Sequence, residues 1–270
     1  MESSSSRTGE AIITEVLRKS EPRPAASDPP TVKNQYAVRF ADAVASEFQR
    51  DLSGRMKGIE ATAKRSAGAV RGLKQLDLNF STPASGLLLG ISLKSVHIRE
   101  ATGAKRYTHN MKRNEEELRI EASGYHKRQP YAVMIAVLFL PFDACTDGRK
   151  DNPSSFGSWV RHLRPYAGRV GVNEDEDRFE RIFVALYEPD GSEIRFFDVS
   201  MAPPKNGVPP SNGALYSVDG VVRRTLDYSE FLDSVYHDYL HRNVAEFLWA
   251  DGTEDPLASV SEPEVESDED

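Results

Sequence analysis

Three residues in one short stretch have types and spacing that suit hydrolytic chemistry: Asp77, Ser92 and Lys94. They belong to residues 74–94, KQLDLNFSTPASGLLLGISLK, which read as two short strands joined by a turn. Leu76, Leu78 and Phe80 alternate with Asp77 and Asn79, the pattern of a half-buried strand. Ser81, Thr82, Pro83 and Ser85 punctuate a turn, and the apolar run from Gly86 ends in Ser92-Leu93-Lys94. Period-two alternation puts Ser92 and Lys94 on one face. If the two strands are neighbours, Asp77 sits beside them. Such a set suits metal-assisted phosphodiester cleavage. A carboxylate holds a hard divalent cation and a second acceptor completes the site. The lysine orients or helps deprotonate the attacking water and offsets phosphate charge.

On these residues the chain resembles the PD-(D/E)XK nucleases, the restriction-endonuclease-like superfamily, which carries an Asp on one strand and acid-x-Lys on the next. Asp77 matches the first acid and Lys94 the lysine. Ser92 stands where the second acid usually stands, and Leu76 where the Pro often stands. Some restriction enzymes of this superfamily carry Ser-x-Lys and take the missing acid from the helix that follows. Here Asn110 to Tyr125 reads as that helix, with Met111, Leu118, Ala122 and Tyr125 as its inner stripe. A carboxylate at the inner edge of a helix is costly unless paired or bound to a cation. Glu121, on or next to the stripe, is therefore the first choice for the relocated acid and Glu117 the second. The alternative is that both pair with Arg113 and Arg119 at the surface.

The resemblance implies an α/β (α+β) fold with a restriction-endonuclease-like core, a central mixed sheet flanked by helices. It implies a metal-dependent DNA endonuclease of restriction-enzyme type, a defence activity. Asp77 and Glu121 would bind Mg2+ or Mn2+, Lys94 would act on water and phosphate, and Ser92 would support them. Arg113 and Arg119 would contact phosphate. The partners would be double-stranded DNA and a second copy of the chain, because cutting both strands needs two sites. The substitution at Ser92 favours a second reading, a catalytically inactive nuclease-fold protein that binds nucleic acid or a partner protein.

The surrounding elements must position these residues. Gln35 to Lys64 reads as a helix, with Val38, Ala41, Val44, Phe48, Leu52 and Ile59 at helical spacing and Gly54 and Gly58 weakening its second half. Glu47 is its one acid near the apolar face. Tyr131 to Phe142 is the most apolar run and fits a central strand buried on both faces. The order helix, strand, strand, helix, buried strand matches the nuclease core. Beyond it, Ser158 to Tyr166 reads as a short helix with Arg161, His162 and Arg164 exposed. Arg181 to Tyr187 and Glu193 to Val199 read as a hairpin around Pro189-Asp190-Gly191. Residues 201–213 read as a proline-rich loop, and Tyr228 to Trp249 as a helix.

Composition bounds the rest. The chain has 270 residues and a net charge of -8. The last twenty residues hold nine acids and no lysine or arginine, so residues 1–250 are near neutral at +1. That balance permits a local basic patch for nucleic acid without requiring one. Residues 1–35 read as a disordered N-terminal tail, in which Ile12, Ile13, Val16 and Leu17 could form a brief helix, and 251–270 as an acidic disordered tail. Residues 36–250 read as a single nuclease-like domain, with a core at 37–142 and an accessory recognition or dimer region at 143–250. The single cysteine, Cys145, excludes an intramolecular disulfide framework. No run approaches the roughly 20 apolar residues of a membrane span, and the chain reads as soluble and cytoplasmic. Phosphate-binding glycine loops and the G-x-S-x-G nucleophile elbow are absent.

Overall fold

A computed structural model describes residues 7–56, 59–61, 76–82, 85–99, 106–149, 152–209, 216–218, 221–223 and 225–243. The chain is an α/β protein built on a mixed sheet with helices on both faces. Its strands are β1 (Glu60–Ala61), β2 (Leu78–Thr82), β3 (Gly86–Ser95), β4 (Val133–Pro141), β5 (Arg181–Tyr187) and β6 (Ile194–Asp198), and they lie in that order across the sheet. The central pairs β3/β4 and β4/β5 are parallel, and the pairs outside them are antiparallel. A separate small ribbon pairs β7 (Tyr216–Val218) with β8 (Val221–Arg223).

The hairpin read from the sequence is present. β2 and β3 pair antiparallel with a register shift between Phe80 and Ser81. Gly86 starts β3 at φ +71, a conformation that glycine adopts without the Cβ penalty. All nine residues of β4 are buried, as their unbroken apolar run requires for a strand covered on both faces.

Alternation along the strands sorts the core into two layers. Leu89, Ile91 and Leu93 of β3 point with Val133, Ile135, Val137 and Phe139 of β4 into one layer. That layer is closed by α1 (Gly9–Ser20), α2 (Pro30–Leu52) and α5 (Tyr228–Asn243). Met134, Ala136 and Leu138 point into the other, closed by α3 (Met111–His126) and α4 (Ser155–Leu163). Ser92 and Lys94 pair with Ala136 and Leu138 across β3/β4 and so belong to the α3 face. Local sequence starts each covering helix. Thr8 caps α1 by accepting from the Ala11 N–H at 3.3 Å, Pro30 opens α2, and Ser154 caps α4 by accepting from the Gly157 N–H at 3.0 Å.

Two boundaries differ from the reading of the sequence. The segment 1–35, expected as a disordered tail, holds α1, whose Ile12, Ile13 and Val16 are each about 1% exposed. Their spacing of three to four residues makes a stripe that α2 and β6 cover. Arg7 and Lys19 fasten this helix further, because both pair with the buried Glu47 of α2, at 2.5 and 2.7 Å. Second, α2 spans Pro30–Leu52 rather than Gln35 to Lys64, and Ser53 and Gly54 begin the turn that follows. Residues 143–250, read as an accessory region of the same domain, contribute to the central sheet. β5 joins β4 along seven register pairs, and β6 extends the same sheet. The acidic segment 251–270 lies outside the described residues. Among the described residues, no helix is long and apolar enough to cross a membrane.

Candidate active site

The three-residue stretch Ser92-Leu93-Lys94 gathers the predicted residues from three elements. Ser92 Oγ donates to Glu121 Oε2 of α3 at 2.5 Å. Lys94 Nζ lies 3.2 Å from Glu121 Oε1 and 3.5 Å from Glu117 Oε2. Leu93 turns its side chain to the opposite layer, and its main-chain N–H donates to Asp77 Oδ2 at 2.7 Å. Asp77 in turn donates its own N–H to the Ile91 carbonyl at 3.2 Å, extending the β2/β3 pairing by one residue. A hydroxyl and an ammonium from β3 and two acids from α3 thus meet on one face of the sheet, and Asp77, just before β2, holds the main chain between them.

The geometry follows from two periodicities. Positions 92 and 94 share a face of a strand, and positions 117 and 121 share a face of a helix one turn apart. Packing α3 on the even-numbered face of β3 and β4, through Leu118 and Ala122, sets the two pairs against each other. The cluster is dry. Ser92 is fully buried, the side chains of Glu121 and Lys94 are 3% and 10% exposed, and Glu117 stands at the edge at 31%. In such surroundings charges interact more strongly than in water, and the ammonium between two carboxylates holds them together.

Tyr125, one helical turn beyond Glu121, was read from the sequence only as part of the apolar stripe. Its phenol pKa is raised above the ordinary value, first by burial and next by the negative charge of Glu121. It therefore stays a neutral phenol.

The two arginines expected at phosphate part company. Arg113 is 73% exposed and donates to Glu117 Oε1 at 2.9 Å, which keeps it at the rim of the site. Arg119 lies on another stripe of α3. It donates to Asp177 at 2.9 and 2.8 Å and to Glu115 at 3.3 Å, and it lies over the Tyr166 ring. Its guanidinium is directed away from Lys94. The surface pairing considered for both glutamates holds for Glu117 with Arg113, whereas Glu121 turns inward to Ser92 and Lys94. Glu47 joins none of this, since it sits in the opposite layer with Arg7, Lys19 and Arg50. His162, expected to be exposed, is half-buried with Nε2 3.0 Å from Glu115. Cys145 is buried and its thiol pKa is pushed far up, chiefly by burial, so it is not held as a nucleophile.

Among the described residues, no group of three or more His, Cys, Asp or Glu side chains is arranged to hold a metal ion. Magnesium asks less of the protein: it is bound through one or two carboxylates and keeps several waters. Asp77 and Glu121 are both oxygen donors of that kind, the first bonded to the Leu93 N–H and the second to Ser92 and Lys94. Comparison with protein-family models, curated proteins and solved structures finds no match for this chain.

Proposed function

We propose that the protein is a metal-dependent DNA endonuclease of the restriction-endonuclease-like superfamily, with its acid carried on α3. The observation that carries this reading is the Glu121 carboxylate meeting both Ser92 and Lys94 while Asp77 is held on the residue between them. The element order α2, β2, β3, α3, β4, with β2/β3 antiparallel and β3/β4 parallel, supports the corresponding core. Asp77 and Glu121 would hold Mg2+ or Mn2+, which supplies Lewis acidity toward a phosphodiester. Lys94 orients the attacking water and offsets charge on the phosphate. Ser92 fixes one oxygen of Glu121 so that the carboxylate keeps its orientation. Arg113, exposed at the rim, would meet the nucleic-acid backbone, and two copies of the chain would address the two strands of a duplex.

One observation favours a second reading, a nuclease-fold protein that binds nucleic acid or a partner protein without cutting. Ser92 and Lys94 both turn onto Glu121 in a nearly closed cluster, as a structural ion pair would.

Incubation with supercoiled plasmids of varied sequence and Mg2+ or Mn2+ separates the two. Metal-dependent nicking that is lost in Lys94→Ala and in Glu121→Ala is expected. Activity kept in Glu121→Ala but lost in Lys94→Ala would move the second acid to Glu117. Salt-sensitive DNA binding without cleavage on any substrate would replace the first reading by the second.

A further inference from the structure

We propose that Tyr125 is a positioning residue for the candidate metal site: its hydroxyl, bonded to the main chain of Leu76, fixes Asp77 in place relative to Glu121. The role rests on the metal-dependent reading above and falls to a residue which that reading does not use.

Asp77 is fastened to β3 by two contacts. Its N–H donates to the Ile91 carbonyl at 3.2 Å, and its Oδ2 accepts from the Leu93 N–H at 2.7 Å. Glu121 is carried by a different element, α3. A cation shared by the two acids needs the start of β2 and the helix in a fixed relation, because the groups behind a metal's ligands orient them.

Tyr125 links these elements. It stands one turn beyond Glu121 on the same face of α3, and the Glu121 charge acts on its phenol. Its hydroxyl is hydrogen-bonded to the Leu76 main chain. That bond lowers the phenol pKa against the larger effect of burial, the sign expected when an N–H donates to the phenol oxygen. Leu76 immediately precedes Asp77 in the chain.

The Leu76 side chain is held as well. It is buried in the layer closed by α3, with Leu118 and Ala122, and Tyr125 packs against the same cluster. Gly90 leaves room for it on β3. A Cβ there would stand 2.6 Å from Leu76 Cδ1 and 2.8 Å from Met134 Sδ. Gly90 shares the α3 face of the strand with Ser92 and Lys94. Leu76 is thus set by Gly90 from β3 and by Tyr125 from α3, and the position of Asp77 follows.

The test is thermal unfolding of the full chain over a series of MnCl2 concentrations at constant ionic strength, beside plasmid nicking over the same series. Tyr125→Phe removes the hydroxyl and keeps the ring. It should raise the half-saturating Mn2+ concentration about tenfold or more, with nicking recovered at saturating metal, because the bound cation meets the same ligands and Lys94. Gly90→Ala crowds Leu76 from the other side and should shift the same concentration in the same direction, even if Tyr125→Phe does not fold. A purely structural tyrosine would lower the metal-free Tm and leave the half-saturating concentration at its wild-type value, and that result in the folded variants overturns this inference alone. Nicking lost at every metal concentration with Mn2+ binding unchanged would also overturn it, by making Tyr125 a catalytic residue. A wild type that neither responds to Mn2+ nor nicks overturns the metal-site reading and this inference with it.

Discussion

Lys94 and Glu121 are nearly closed off from water and face each other at 3.2 Å. Removing one partner of a buried pair costs about 3–5 kcal/mol, whereas replacing both by apolar groups is often close to neutral. Urea unfolding should therefore show a loss of about 3 kcal/mol for Lys94→Met, most of it recovered in Lys94→Met/Glu121→Leu. Recovery of stability without recovery of nicking would separate the chemical role of the pair from its structural one. A second residue-scale prediction concerns His97. Its Nδ1 lies 2.8 Å from the Tyr187 hydroxyl, and its ring packs edge-on against Phe40 and Tyr36. Burial, and next the charge of Arg23, lower its pKa to about 3. The unfolded chain binds a proton near pH 6.5 and the native state does not. The contribution of His97 is therefore complete above about pH 6.5 and is lost as pH falls toward 3, at about 1.4 kcal/mol per pH unit. Denaturant titrations at pH 6.5 and pH 5 should show that slope in the wild type and a flatter one in His97→Gln.

At the scale of elements, α1 is held by a turn as well as by its apolar stripe. Thr14 Oγ1 donates to the Gly191 carbonyl at 3.2 Å in the β5–β6 turn, where Gly191 has φ +83. A Cβ there would stand 2.6 Å from Thr14 Oγ1 and 3.1 Å from Thr14 Cα. Gly191→Ala is thus strained in its own backbone and pushes on the helix docked against it. A loss of about 1–3 kcal/mol is expected. Proteolysis should detect the release of α1 as faster cleavage at residues 21–29, the connection that joins it to α2. A wild-type cleavage rate in this variant would mean that α1 does not depend on the turn.

Across the whole molecule, β3, β4 and β5 run side by side in parallel, and each layer of the core draws residues from both halves of the chain. Phe231 of α5, for example, stacks on Phe196 with ring centroids 4.1 Å apart and meets Phe48 of α2 at 5.3 Å. Such a core should unfold as one unit. Far-UV and near-UV circular dichroism should give coincident urea transitions. Two separated transitions would divide residues 37–142 from 143–250.

The sequence by itself determined what depends on short-range pattern. Alternation fixed the β2–β3 hairpin and the shared face of Ser92 and Lys94. An unbroken apolar run fixed β4, and helical spacing fixed α3 with Glu121 near its inner edge. Those are properties of a residue and its neighbours within a few positions. Only the tertiary structure decided which partners those residues meet. Arg113 and Arg119 look alike along the helix, yet one stays at the rim and the other is drawn to Asp177 by a different packing partner. The sequence allowed a brief helix over Ile12, Ile13, Val16 and Leu17 yet favoured a tail for 1–35, because the burial of α1 comes from α2 and β6, far along the chain. Arg169 and Arg242 both pair with Glu180, at 2.9 and 3.0 Å, yet the three carry no mutual signal along the chain, being up to 73 positions apart. They meet only where β5, α5 and the preceding loop converge, because electrostatic pairing depends on distance in space.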